Sequence, residues 1–449
     1  MASLTDFILT NCKKSGTALE CSDLWKEVST ASVDDLDHAL ECLNAIDYAA
    51  AMAYLLLVKG KKLSKLQRQD RTGDSNADDG DVDMAVQADG NDDRNAKLSF
   101  LHQVISYLGD IVGVPEEAPD ASRLSDLVQL AVQVAIAIHE TIRLVYPLRQ
   151  LLQKWRSSEL SRQNALTPYH STFVLACVYA KCYHAALSVV DEPIFDIASP
   201  QAAVQSIHVL EYFYYGGMVY TGLKQFRAAA TFFLMTLTVP AYALSAIAIE
   251  AYKKFILVSL LSDGQVSPLP KSASPAVSRA LESYVAPYVA FMKAFTSSSS
   301  TPQVVAVAAA DIPDNGGLVK QCLVAFKQIR VQKLPQVYTT VSLTKVAAEI
   351  HATISDAEAC MLDVIEAGAI TAAIDKQQDM VQLNPPSFDE TNLHASIEHA
   401  IAFTTRLHEI DALLTMHPKY IGRTKDKRGA KFATDDAAGG SWMAQQVSG

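Results

Sequence analysis

Between residues 341 and 383 the apolar positions change period. Leu343, Val346, Ala347 and Ile350 recur at i, i+3, i+4 and i+7, the spacing of a short helix with one buried side, and Ser342 stands where its hydroxyl can cap that helix. A second helix is expected from Ser355, where Ser355-x-x-Glu358 reads as a capping box and Met361, Leu362 and Ile365 form the apolar stripe. Gly368 can take positive φ and end it. The period then falls to two: Ile370, Ala372 and Ile374 face one way, the polar run Asp375 to Asp379 turns, and Met380 to Leu383 returns as a second strand. Helix, helix and hairpin over residues 336–384 make a winged-helix plan. A two-stranded hairpin is marginal alone and has to lean on the helices.

The rest of the chain reads as helical. Residues 1–69 hold two or three packed helices, with Leu36, Leu40, Leu43 and Ile46 leading into the apolar run Ala49 to Val58. Residues 70–97 break the pattern: nine aspartates lie between Asp70 and Asn95, offset only by Arg71 and Arg94, which predicts a disordered acidic insert. A solvated loop and a regulatory or docking segment are both open for it. Helices resume at Leu98, and residues 98–335 form one helical region. One long helix is expected from Ser125 to Tyr146, with Leu127, Leu130, Val134, Ile138, Ile142 and Val145 on one face and Pro147 bending or ending it.

Tyr169 to Val190 and Val209 to Val239 read as two helical hairpins, in which Tyr179, Tyr183 and Ala186 correspond loosely to Tyr220, Phe226 and Ala229. Their aromatic and small residues suggest a right-handed, tetratricopeptide-like solenoid. A further hairpin is expected over Ala243 to Leu261, ended by Asp263-Gly264, and the proline-rich stretch Val266 to Pro275 reads as a loop. After Pro385-Pro386, residues 385–417 carry a long C-terminal helix with Leu393, Ile397, Ile401, Leu407, Ile410 and Leu414 on its apolar side; residues 418–449 form a tail expected to be disordered.

With 49% hydrophobic and 19% charged residues, 449 residues suffice for two or three globular domains. A formal charge of −11 repels phosphate backbones and anionic lipid, so neither nucleic acid nor membrane is an expected partner. The second small helix, where a winged helix would read DNA, is unsuited to it as well, since it holds Asp356, Glu358, Asp363 and Glu366 and no base. Seven cysteines without framework spacing, several in apolar helical patterns, suit a reducing compartment, and no segment predicts a signal peptide or a membrane span. A soluble intracellular protein is expected.

Catalytic chemistry is not legible. Gly216-Gly217, Gly316-Gly317 and Gly60-Lys61-Lys62 lack the spacing of a phosphate loop, and His139-Glu140 is not followed by the rest of a zinc-protease motif. Cys177, Cys182 and His184 are a poor metal set, and His394, His399, His408 and His417 do not stack at helical ligand spacing. No catalytic residue, cofactor or metal is expected. An enzyme of unrecognised type would need a convergent polar set that the sequence does not display.

Helical hairpins followed by a winged helix, opened by Ser342-Leu343 and carrying Ala357-Glu358-x-x-Met361-Leu362-x-x-Ile365-Glu366-x-Gly368-x-Ile370-x-Ala372-x-Ile374, resemble the PCI domain shared by subunits of the proteasome lid, the signalosome and a translation initiation factor. Gly217 to Phe226, Glu250 to Leu260 and Gly317 to Leu323 resemble the signalosome members of that family. Asp379 departs from the pattern, which usually places glycine there. The resemblance implies a mainly α fold: a solenoid, a winged-helix PCI subdomain and a C-terminal bundle helix. It implies a non-catalytic scaffold in a complex that removes the ubiquitin-like protein NEDD8 from cullins through a zinc site in another subunit. Partners would be other signalosome subunits and, indirectly, neddylated cullin-RING ligases. A PCI subunit of the proteasome lid is the alternative. The resemblance assigns pairing with a neighbour's sheet to Val381 and Leu383, which could instead pack within their own domain, and bundle contacts to Leu393, Ile397, Ile401, Leu407 and Leu414.

Overall fold

The computed structural model describes residues 28–416, apart from 29, 44–47, 73–84, 114–120, 159–163, 195, 198–203, 241–242, 271–272, 274–280, 282, 298–301, 313, 376–377 and 385–389. Expectations for residues 1–27, for the centre of the acidic insert and for the C-terminal tail lie outside the described residues. The chain divides into two compact units, Met1–Ile329 and Arg330–Gly449.

The first unit is built of helices: α1 (Val33–Cys42), α2 (Ala49–Thr72), α3 (Ala85–Gly113), α4 (Ala121–Ala137), α5 (Ile142–Ser158), α6 (Pro168–Tyr179), α7 (Tyr183–Val190), α8 (Ser206–Gly222), α9 (Phe226–Thr238), α10 (Ala246–Asp263), α11 (Ala286–Thr296), α12 (Pro302–Ala310) and α13 (Gly316–Lys333). Two-residue strands β1 (Ala165–Leu166) and β2 (Asp196–Ile197) pair in parallel. Between α2 and α10, helices α2, α3, α6 and α8 each pack against both the next helix and the one after it, the arrangement of stacked helical repeats. Their apolar faces form one core running from Val28 to Leu281, and a second core joins α10 to α11, α12 and α13 through Ile256, Leu257, Phe291 and Phe326.

Three sequence expectations are corrected here. The acidic segment is helical over its last part, because α3 begins at Ala85; Lys97 is buried and pairs with Asp93 one turn back. Composition argued for disorder, but this stretch is continuous with a helix anchored by Phe100, Leu101 and Val104, which supplies the nucleus. The single helix expected over Ser125 to Tyr146 is two. His139 takes φ 61° and the Glu140 amide donates to the Ala135 carbonyl at 2.9 Å, so α4 ends there, Ile142 is exposed, and Pro147 lies inside α5. Ala243 to Leu261 holds one helix, α10, instead of a hairpin; Gly264 ends it at φ 69°.

The two hairpins α6–α7 and α8–α9 share one turn. Lys181 and Lys224 both take positive φ (57° and 59°), the Cys182 amide donates to Cys177 O and the Gln225 amide to Tyr220 O, each at 2.9 Å. This aligns Tyr183 with Phe226 and Ala186 with Ala229, while Tyr220 matches Cys177. Tyr179, paired with Tyr220 in the sequence reading, is exposed where Tyr220 is buried. Gly216 and Gly217 serve packing: a Cβ on either would lie 2.7 Å from the ring of Phe232 or Phe233 on α9.

The second unit contains β3 (Thr340–Ser342), α14 (Leu343–Ile350), α15 (Ile354–Glu366), β4 (Thr371–Asp375), β5 (Met380–Asn384) and α16 (Glu390–Met416). Ser342 caps α14, its hydroxyl accepting from the Lys345 amide, and Leu343, Val346, Ala347 and Ile350 are all buried as the spacing requires. The cap of α15 is Thr353, which accepts from the Asp356 amide at 3.2 Å, and not the Ser355 box; Ser355 already lies within the helix. Gly368 follows α15 at φ 69°.

Candidate functional site

The hairpin β4–β5 forms as its period-two pattern requires, with Ile370 buried and Ala372 and Ile374 half-buried on one side. Asp379 supplies the left-handed residue of its turn at φ 51°, an allowed place for aspartate. The sequence reading missed β3. Thr340–Ser342 pairs antiparallel with β5, giving a three-stranded sheet in the order β3-β5-β4. Ser342 therefore does two jobs, closing the strand opposite Met380 and capping the helix.

That third strand corrects the roles of Val381 and Leu383. β5 is the middle strand, so its backbone groups are paired on both sides and it offers no edge to another chain. Val381 stands between Val341 and Ile374 and is 0% exposed; Leu383 is 4% exposed opposite Ala372. Both belong to the core with Val346, Met361 and Val364. The outer strands are β3 and β4.

Helix α16 is the opposite case. Over its 27 residues, Leu393, Ile397, Ile401, Leu407 and Leu414 are between 47% and 61% exposed, and Ile410 alone in the described stretch is half-buried. Phe403, Leu413 and Met416 add exposed apolar surface that the stripe at i, i+4 did not include. Helices in proteins draw most of their stability from packing such a stripe, and contiguous exposed apolar surface of this extent is uncommon on a monomeric protein. His394, His399 and His408 lie in the same exposed helix, His394 pairing with Glu398 at 3.4 Å, and His417 lies outside the described residues.

On α15 Asp356, Asp363 and Glu366 are exposed, as is Leu362, and no base follows in its last turn. Such a face opposes a phosphate backbone. Among the described residues no group of three or more His, Cys, Asp or Glu side chains is placed to share a metal ion, and no helix is long and apolar enough to cross a membrane. Cys177 is enclosed in the core, and burial pushes its thiol up to about 12, far from a ligating thiolate.

An enclosed polar cluster lies in the first unit among the described residues. His170 at the start of α6 accepts from the Thr167 amide at 3.0 Å through Nδ1, while Nε2 faces Arg156 at 3.3 Å, and Arg156 pairs with Glu192. Burial, aided by the Arg156 charge, pulls the imidazole down to about 3. His208 at the start of α8 repeats the cap, accepting from the Gln205 amide at 3.2 Å. These groups close helix ends between repeats and expose no reactive atom.

Comparison with known proteins covers much of the helical region and most of the chain. Residues 115–277 match the family model described as COP9 signalosome complex subunit 3, N-terminal helical repeats. The chain is 28% identical to the COP9 signalosome complex subunit 3 of Dictyostelium discoideum over 75% of its own length and 82% of that protein's. It is 30% identical to the subunit of the same name from Arabidopsis thaliana, over 65% of this chain and 69% of the relative. Helical repeats under that model, and identity spread over most of both proteins, establish that the chain belongs to the family of COP9 signalosome complex subunit 3.

Proposed function

We propose that the chain is a non-catalytic scaffold of the signalosome, the assembly that removes NEDD8 from cullins and so regulates cullin-RING ligases, working in cytoplasm and nucleus. Its partners are the other subunits, and the isopeptidase zinc site belongs to one of those. In this reading residues 336–384 are the winged-helix part of a PCI domain, and the stacked hairpins before it are a tetratricopeptide-like solenoid. The outer strands β3 and β4, and not Val381 or Leu383, continue a sheet with a neighbour, and α16 joins a bundle of C-terminal helices.

The observation that carries the proposal is α16: a 27-residue helix whose apolar side is left exposed by its own chain. Ile397→Asp combined with Leu407→Asp places two charges on that side without touching any of the three cores. Pull-down of the double variant from cells is expected to lose the other signalosome subunits while the purified chain keeps its helical content. Undiminished recovery of the complex would refute the bundle role.

A further inference from the structure

We propose that Ser267 is a phosphorylation site for a proline-directed serine kinase. A hydroxyl followed by proline occurs at Thr167-Pro168, Ser199-Pro200, Ser267-Pro268, Ser274-Pro275 and Thr301-Pro302. Among the described residues only the first and third carry a hydroxyl with known surroundings, and these differ sharply. Thr167 is 0% exposed and caps α6 against His170, so no enzyme reaches it without unfolding the helix start. Ser267 is exposed in a segment that is neither helix nor strand.

A kinase takes its substrate extended in a cleft, with the acceptor oxygen free to approach the γ-phosphate. The segment after α10 supplies the extended backbone and the free hydroxyl. Pro268 confines Ser267 to extended backbone, no peptide bond among the described residues is cis, and Pro270 stiffens the next step. The serine is also held out by its neighbours. Val266 packs against both cores of the first unit and Leu269 against the larger one, so the two residues flanking Ser267-Pro268 are fixed to the body while the pair itself stays in solvent. Transfer forms the bond from Ser267 Oγ to phosphorus as the bond from phosphorus to the β,γ-bridging oxygen of ATP breaks; the hydroxyl proton goes to the kinase base and ADP leaves. The product adds a charge of about −1.5 to −2. It stands four residues beyond Asp263, whose carboxylate accepts from Arg227 at 3.1 Å, on the strap between the two cores.

The test is incubation of the full chain with ATP and, in parallel, a cyclin-dependent and a mitogen-activated kinase, followed by mass-spectrometric mapping of sites. Phosphate on Ser267 from at least one kinase, none on Thr167, and loss of the Ser267 phosphopeptide in Ser267→Ala are expected. Because Ser267 is exposed, that variant keeps the fold. Phosphate confined to other hydroxyls, or none from either kinase, would overturn the assignment.

Discussion

Replacing Val381 by alanine separates a core residue from an interface residue. The side chain is 0% exposed between Val341 and Ile374. Removing two methyl groups costs about 1.6 kcal/mol at ~0.8 kcal/mol each. The space left between the two β-branched side chains of Val341 and Ile374 adds about 0.5 to 1 kcal/mol, because a sheet paired on both sides of β5 collapses little. The expected loss is about 2.1 to 2.6 kcal/mol in the local stability of the second unit. At 1.4 kcal/mol per tenfold that accelerates amide exchange about 30- to 70-fold. Hydrogen exchange read by mass spectrometry on peptides covering Thr340–Ser342 and Thr371–Asn384 of the isolated chain measures it directly. Peptides in α6 to α10 serve as controls and should not change. If exchange in the sheet is unaltered while association with other subunits is lost, Val381 is an interface residue and the central place of β5 is wrong.

Other consequences are equally open to measurement. Gly217→Ala should destabilise the first unit by about 1 to 2 kcal/mol in chemical denaturation, since the new Cβ would lie 2.7 Å from the fully buried Phe233 ring and overpacking outweighs the gain in helix propensity. Asp379→Gly should stabilise the second unit by about 0.5 to 1 kcal/mol, seen as slower exchange in β4 and β5, because the turn holds φ 51° where glycine pays no steric cost. Acid should weaken the first unit through His170. The unfolded imidazole takes its proton near 6.5 and the folded one only near 3, so its stabilisation is complete above the first value and is lost as pH falls toward the second. Between about pH 7 and 5 the loss is about 2 kcal/mol, and His170→Gln should flatten that slope in urea titrations.

The sequence and the structure agree best where one period runs unbroken over a short element. The stripe Leu343 to Ile350, the glycine after α15 and the alternation through Ile374 were all legible because each rests on neighbours in the chain. Contacts distant in sequence were not. Three residues, Thr340–Ser342, are too few to show alternation, yet their pairing with β5 turns an edge into a centre and reverses the role of Val381 and Leu383. Breaks that conserve apolar content were also hidden: nothing in the stripe through Ile138 announces that His139 leaves the helix. Thr353 and Ser355 are both competent caps, and local chemistry cannot choose between them. The stripe of α16 was readable, but an apolar stripe looks the same whether its own chain or another covers it; only the exposure of Leu393 through Leu414 distinguishes the two.

Amide exchange of α16, followed over Leu393 to Met416 in the isolated chain and in the purified assembly, tests the scaffold account most directly. An uncovered helix opens readily, so these amides should exchange fast in the isolated chain and at least about 100-fold more slowly once partners cover the apolar side. Equal exchange in the two states would contradict the account, because the surface taken here as a joint would then have gained nothing from assembly.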